Sequence, residues 1–102
     1  MFWNKKNQHK EEGKLTTIEF ANPNDGKKYV WVEPACVELE LEGQTEYQII
    51  THETDFRVEF DDNRLILWLQ YSFGFKLSSR PTSGEIPNPN TWTLVMDNSD
   101  IN

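Results

Sequence analysis

Apolar side chains in this chain recur at every second position, and no segment longer than ten residues carries a convincing 3.6-residue period. That alternation constrains the fold more than any other feature, because successive side chains on a strand point to opposite faces. In C-V-E-L-E-L-E-G (36–43), Val37, Leu39 and Leu41 alternate with Glu38, Glu40 and Glu42. In D-F-R-V-E-F (55–60), Phe56, Val58 and Phe60 read as inward and Asp55, Arg57 and Glu59 as outward. K-L-T-T-I-E-F (14–20) places Thr16, Ile18 and Phe20 on one face. T-E-Y-Q-I-I-T-H (45–52) sets Tyr47 and Ile49 against Glu46, Gln48, Ile50 and His52. R-L-I-L-W-L-Q-Y (64–71) is apolar on both faces, as a central strand covered from both sides would be.

Turn residues punctuate these runs. N-P-N-D-G (22–26) predicts a hairpin returning into K-Y-V-W-V (28–32), because Gly26 accepts positive φ and Pro23 presets its own. Pro34 has no N–H for a ladder and marks an edge or a bend. Gly43 closes the third strand, D-D-N (61–63) makes a tight hairpin, and Gly74 bends or bulges the chain before F-K-L-S (75–78). T-W-T-L-V-M-D (91–97) is the last strand. Seven or eight short, mainly antiparallel strands predict an all-β domain over 14–97, a β-sandwich or a partly open barrel. A polar arm or short helix (1–13), with Phe2 and Trp3 placed to dock on the body, precedes it, and 98–102 form a tail. The connection 78–90 holds three Pro in thirteen residues, a length often given to function or disorder.

At 102 residues the chain supports one core. Thirteen aromatics, four of them Trp, argue against intrinsic disorder. The net charge of −7 arises in the middle third, where 33–62 hold ten carboxylates against one base, Arg57. An acidic chain is repelled by nucleic acid and by anionic membrane, so neither is expected as a direct ligand. The single Cys36 excludes an intrachain disulfide and fits a reducing compartment. The start M-F-W-N-K-K-N-Q-H-K has no apolar run after its bases, so it does not read as a signal peptide. The expectation is a cytoplasmic protein.

Catalytic signals are poor. H-E-T-D (52–55) offers three potential ligands in four residues, but zinc sites draw ligands from separated elements, and these read as solvated turn residues. Cys36 has no His in sequence reach and reads as a small buried hydrophobe. No P-loop, dinucleotide fingerprint or G-x-S-x-G elbow is present, so neither an enzyme nor a cofactor is expected. The rings of Trp31, Trp68 and Trp92 read chiefly as core. Trp68 is set apart, because it shares a face with Arg64, Ile66 and Gln70, opposite Leu65, Leu67 and Leu69. It is a half-exposed anchor candidate, as Trp is common among interface hot spots.

The remaining feature is the carboxylate row. Glu38, Glu40 and Glu42 stand roughly 6.7 Å apart at a strand rise of ~3.3–3.4 Å per residue. Neighbours at that spacing repel by about 0.6 kcal/mol in bulk water, so the row brings the fold no stability. Gatekeeper charges account for one or two of them; a cationic partner accounts for the block.

The run V-W-V-E-P-A-C-V-E-L-E-L-E-G-Q-T-E-Y-Q-I-I (30–50), followed by F-R-V-E-F-D-D-N-R-L-I-L-W (56–68), resembles a pattern of small bacterial β-proteins. There an apolar-x-E-P turn leads through a strand to L-x-G and an aromatic-x-I strand. The short, acidic, Cys-poor profile also resembles immunity proteins of bacterial competition, including contact-dependent growth inhibition. That class shares no common motif, so the resemblance transfers no binding residue. It implies a class logic, in which an acidic protein neutralises a basic toxin domain, often a nuclease, by covering its active site or an exosite.

The sequence therefore predicts a non-enzymatic inhibitor whose partner-binding residues are Glu38, Glu40, Glu42, Glu46, Glu59, Asp61, Asp62 and Trp68, with Tyr71 or the 78–90 loop as further anchors. A phage or plasmid accessory protein mimicking nucleic acid would use the same carboxylates. A carbohydrate- or small-molecule-binding β-module would instead use exposed Trp.

Overall fold

The computed structural model describes residues 14–62, 64–70 and 74–99. Eight strands form: β1 (Thr16–Asn22), β2 (Lys28–Glu33), β3 (Val37–Leu41), β4 (Thr45–Thr51), β5 (Phe56–Asp61), β6 (Arg64–Leu69), β7 (Phe75–Pro81) and β8 (Thr93–Asp97). They make two four-stranded sheets, one in the order β1-β4-β7-β8 and the other β3-β2-β6-β5. All neighbours are antiparallel except β2 and β6. The fold is thus the sandwich of the two expected architectures. No helix is present among the described residues, so none there could cross a membrane. The expected arm (1–13), with Phe2 and Trp3, lies outside the described residues, as do Tyr71 and the end of the tail.

Alternation sets the core. The first sheet contributes Ile18, Tyr47, Ile49, Phe75 and Leu77, and the second Val30, Val32, Leu39, Leu41, Leu67 and Leu69. Burying a side chain of this size is worth about 1.5–3 kcal/mol. The aromatic core expected from composition does not form around Trp. Trp31 and Trp92 are half-buried and Trp68 is 38% exposed. The phase of the alternation explains two of these: Trp31 lies between buried Val30 and Val32, and Trp68 between buried Leu67 and Leu69, so both rings face outward.

Several local expectations are corrected. β1 and β2 do not form a hairpin, because β1 pairs with β4 while β2 pairs with β3 and β6. The links 23–27 and 42–44 instead pass side by side from one sheet to the other. Asn22 fastens them: its buried Nδ2 donates to the carbonyls of Gly26 (2.7 Å), Leu41 (3.2 Å) and Glu42 (3.3 Å). The Gln44 backbone N–H donates to the Asn24 carbonyl at 2.9 Å. Gly43 is required there, because a Cβ would stand 2.3 Å from the Asp25 carbonyl oxygen.

β6 is covered on one face only: Leu67 and Leu69 meet the first sheet, while Trp68 faces out with no third layer over it among the described residues. Phe56, Val58 and Phe60 do share the side of Leu69, Leu67 and Leu65, but they are 37%, 42% and 87% exposed. β5 is an edge strand, and the first sheet leaves it uncovered. In H-E-T-D, Glu53 is buried instead of solvated, and the segment carries β4 across to the other sheet rather than closing a hairpin. His52 Nδ1 lies 3.0 Å from the Lys14 carbonyl oxygen. Cys36 is exposed, at φ 57° in the turn after the cis Glu33–Pro34 bond.

The long connection is shorter than expected, since β7 runs on to Pro81. It is tied back to β7 by Asn88 and Asn90, whose side-chain amides both donate to the Pro81 carbonyl at 3.0 Å. Arg80 adds a third tie, donating from one guanidinium N–H to the Asn90 carbonyl (3.2 Å) while its guanidinium lies 4.0 Å from the Trp92 ring centroid.

Candidate functional site on the outer face of the β3-β2-β6-β5 sheet

Register brings the outward residues of four strands into rows. Glu40, Tyr29, Arg64 and Asp61 lie side by side across β3, β2, β6 and β5. Glu38, Trp31, Ile66 and Glu59 form the next row, and Glu33, Trp68 and Arg57 the third. The central strands β2 and β6 therefore carry Tyr29, Trp31, Ile66 and Trp68, with Arg64 at one end and Glu33 at the other, and Glu38 and Glu40 on β3 and Glu59 and Asp61 on β5 stand on the two margins. With strands ~4.8 Å apart and paired rows ~6.7 Å apart, this centre and its flanks span roughly 14 by 13 Å. That is the scale of a hot-spot cluster inside a standard interface of about 800 Å² per partner.

Most of the expected residues meet here. Glu38, Glu40, Glu59, Asp61 and Trp68 share the face, while Glu42 follows β3 at the end where Lys27 stands and Asp62 lies in the turn after Asp61. Glu46 does not belong, because it lies on the outer face of the other sheet, where Arg80 Nε donates to its Oε1 at 2.9 Å. The 78–90 loop also packs on that other sheet, with Asn88 beside Glu46, so it is not an anchor for this face.

The carboxylate row is compensated by cations from outside the acidic block. Lys27 Nζ lies 2.9 Å from Glu40 and 3.9 Å from Glu42. Arg64 reaches Glu38 (3.7 Å) and Asp61 (3.6 Å) with its guanidinium 5.4 Å from the Trp31 ring centroid. Arg57 pairs with Glu59 at 3.1 Å, and the other Glu59 oxygen accepts from Trp68 Nε1. These exposed pairs add little to stability, but they hold the side chains in place. A hydrogen bond to Glu40, then the charges of Glu40 and Glu42, raises the Lys27 pKa above its ordinary value. Glu33, Glu38, Glu40, Glu42, Glu59, Asp61 and Asp62 still outnumber Lys27, Arg57 and Arg64, so the face remains acidic.

Sequence reasoning missed Tyr29, Trp31, Glu33, Ile66 and the two bridging cations. The signal for Tyr29 and Trp31 lay in the phase of K-Y-V-W-V, opposite to Val30 and Val32. Glu33 accepts from Trp31 Nε1 (2.8 Å) through one oxygen and from Cys36 Sγ (3.5 Å) through the other. That second hydrogen bond, followed by the Glu33 charge, raises the thiol pKa. Alkylation of Cys36 by iodoacetamide at neutral pH is therefore expected to be slower than for free cysteine despite exposure, and severalfold faster in Glu33→Gln.

Glu46 supplies a pH test away from the face. The hydrogen bond from Arg80, and then one from Asn88, lowers its pKa below the ordinary glutamate value. A depressed folded-state pKa gives stability above the unfolded-state pKa, lost as pH falls through the folded-state value. Glu46→Gln is expected to unfold at lower urea than wild type at neutral pH. The gap should close below the ordinary glutamate range.

Among the described residues no three His, Cys, Asp or Glu side chains gather as a metal site. Fold and face together define an all-β sandwich with an acidic-rimmed aromatic surface. Comparison of the chain with protein-family models, curated proteins and solved structures gives no match.

Proposed function

We propose that this protein is an immunity-type inhibitor, which neutralises a basic toxin domain, in the first instance a nuclease, by covering it with the outer face of the β3-β2-β6-β5 sheet. The observation that carries the reading is the joint placement of half-exposed Tyr29 and Trp68 inside carboxylate margins on a hydrogen-bonded sheet. A nuclease lines its cleft with Lys and Arg to attract phosphate. Carboxylates on a sheet meet those groups without reorganisation and steer encounter, raising association above the ~10⁵–10⁶ per molar per second of uncharged pairs. The aromatic centre supplies the desolvated anchor that charge alone does not. The chain acts here without catalysis or cofactor, in the same cytoplasm as the toxin's target.

The test is protection. Cells producing a cationic nuclease domain encoded beside this gene survive when the wild-type chain is co-produced and die when Trp68→Ala with Glu38→Lys and Glu40→Lys is co-produced at equal level. Equal survival with both would refute the assignment of the face. The exposure of Trp68 favours one other reading, a sugar-stacking surface. Titration with oligosaccharides under Trp fluorescence separates the two, since a toxin-binding face gives no saturable change.

A further inference from the structure

The uncovered edge of the second sheet has a sequence that fits itself. Among the described residues β5 pairs only with β6, so its other edge presents free backbone donors and acceptors. Its inward side carries the exposed Phe56, Val58 and Phe60, beside an open groove of about 770 Å³ that Phe20, Phe60 and Leu65 help to line. We propose that a second copy of this chain adds to this edge, with β5 antiparallel to β5 about a twofold axis at Val58, joining two four-stranded sheets into one of eight.

The register follows from the residues. An antiparallel pairing centred on Val58 sets Val58 opposite Val58, Phe56 opposite Phe60, and Arg57 opposite Glu59, each of the latter twice by symmetry. Aromatic and opposite-charge cross-strand pairs are the favourable ones. Arg57 and Glu59 already lie 3.1 Å apart within one chain, so pairing would close a ring of four alternating charges. The like-charged Asp55 and Asp61 meet only at the ends, where Asp61 is 3.6 Å from Arg64.

The other edges fit themselves less well. Centred self-pairing of β3 sets Glu38 against Glu40, and of β1 sets Glu19 against Glu19. β8 is bulged where its register shifts between Leu77 and Ser78, which bends it away from a regular ladder. One strand pair is small beside a standard interface, so the dimer should be weak and concentration-dependent. This inference does not rest on the toxin reading.

Sedimentation velocity of the full chain from low-micromolar to near-millimolar concentration is expected to show a species of twice the 12.0 kDa chain mass at the upper end. Arg57→Glu or Glu59→Arg alone sets like charges opposite each other twice and should weaken the dimer about tenfold or more. The reciprocal double swap restores opposite charges and should recover most of that loss. In a Cys36→Ser background, Val58→Cys should cross-link to itself on mild oxidation, whereas Phe60→Cys should not, because it faces Phe56. A chain monomeric throughout, a dimer unmoved by the single swaps, or self-cross-linking of Phe60→Cys as fast as Val58→Cys would each overturn the proposal.

Discussion

Asn22→Ala is expected to destabilise the sandwich by about 3 kcal/mol, through loss of hydrogen bonds and exposure of buried carbonyls to no partner. Asn22 is 1% exposed, and its amide holds three carbonyls from both sheet-to-sheet links. An Ala leaves the buried Leu41 carbonyl without that donor and leaves the 23–27 and 42–44 links joined only through Gln44. Asn22→Asp keeps the shape and is expected to cost at least as much at neutral pH, because a carboxylate faces carbonyl oxygens it cannot donate to. Its deficit should shrink in acid, where the protonated carboxyl can donate. Urea unfolding at several pH values reads both effects. A change below about 1 kcal/mol for Asn22→Ala would mean that the crossover is held by something else.

On the proposed role of the β3-β2-β6-β5 face, Trp68→Ala is expected to weaken binding of a cationic toxin domain by about 2–4 kcal/mol, a loss of roughly thirty- to several-hundredfold, with little change in stability. The ring is 38% exposed and stands outside the buried cluster, so truncation opens no core cavity. Its Nε1 donates to Glu59, which also pairs with Arg57, so removal loosens a carboxylate of the margin as well. Charge reversal at Glu38 and Glu40 should act on a different rate constant. It removes long-range attraction and is expected to slow association and flatten its dependence on ionic strength. Trp68→Ala should instead act on dissociation. Titration calorimetry and surface plasmon resonance separate the two, and a Trp68→Ala complex as long-lived as wild type would remove this residue from the interface.

The alternation that makes β3 amphipathic was legible in the sequence, and so was the outward phase of Trp68. Both depend only on residues next to each other in the chain. Long-range consequences were not legible. N-P-N-D-G carries the same turn chemistry whether it closes a hairpin or turns the corner of a sandwich, and the choice is made by carbonyls at Leu41 and Glu42. The inward phase of Phe56, Val58 and Phe60 was readable, but burial depends on whether a facing sheet extends over an edge strand. The acidic block looked unbalanced in a sequence window because Lys27 reaches it from the 23–27 link and Arg64 from β6. Glu46 was indistinguishable by composition from Glu38, yet the partner strand Arg80 gave it a structural role on the opposite sheet.

One binding assay with a cationic toxin domain, the proposed partner, compares the two outer faces. Trp31→Ala, Trp68→Ala and Glu38→Lys represent the β3-β2-β6-β5 face, and Glu46→Gln and Ile50→Ala the opposite one. Affinity should fall at least about tenfold for each variant of the first set and stay at the wild-type value for the second. Losses confined to Glu46→Gln and Ile50→Ala would put the interface on the opposite sheet.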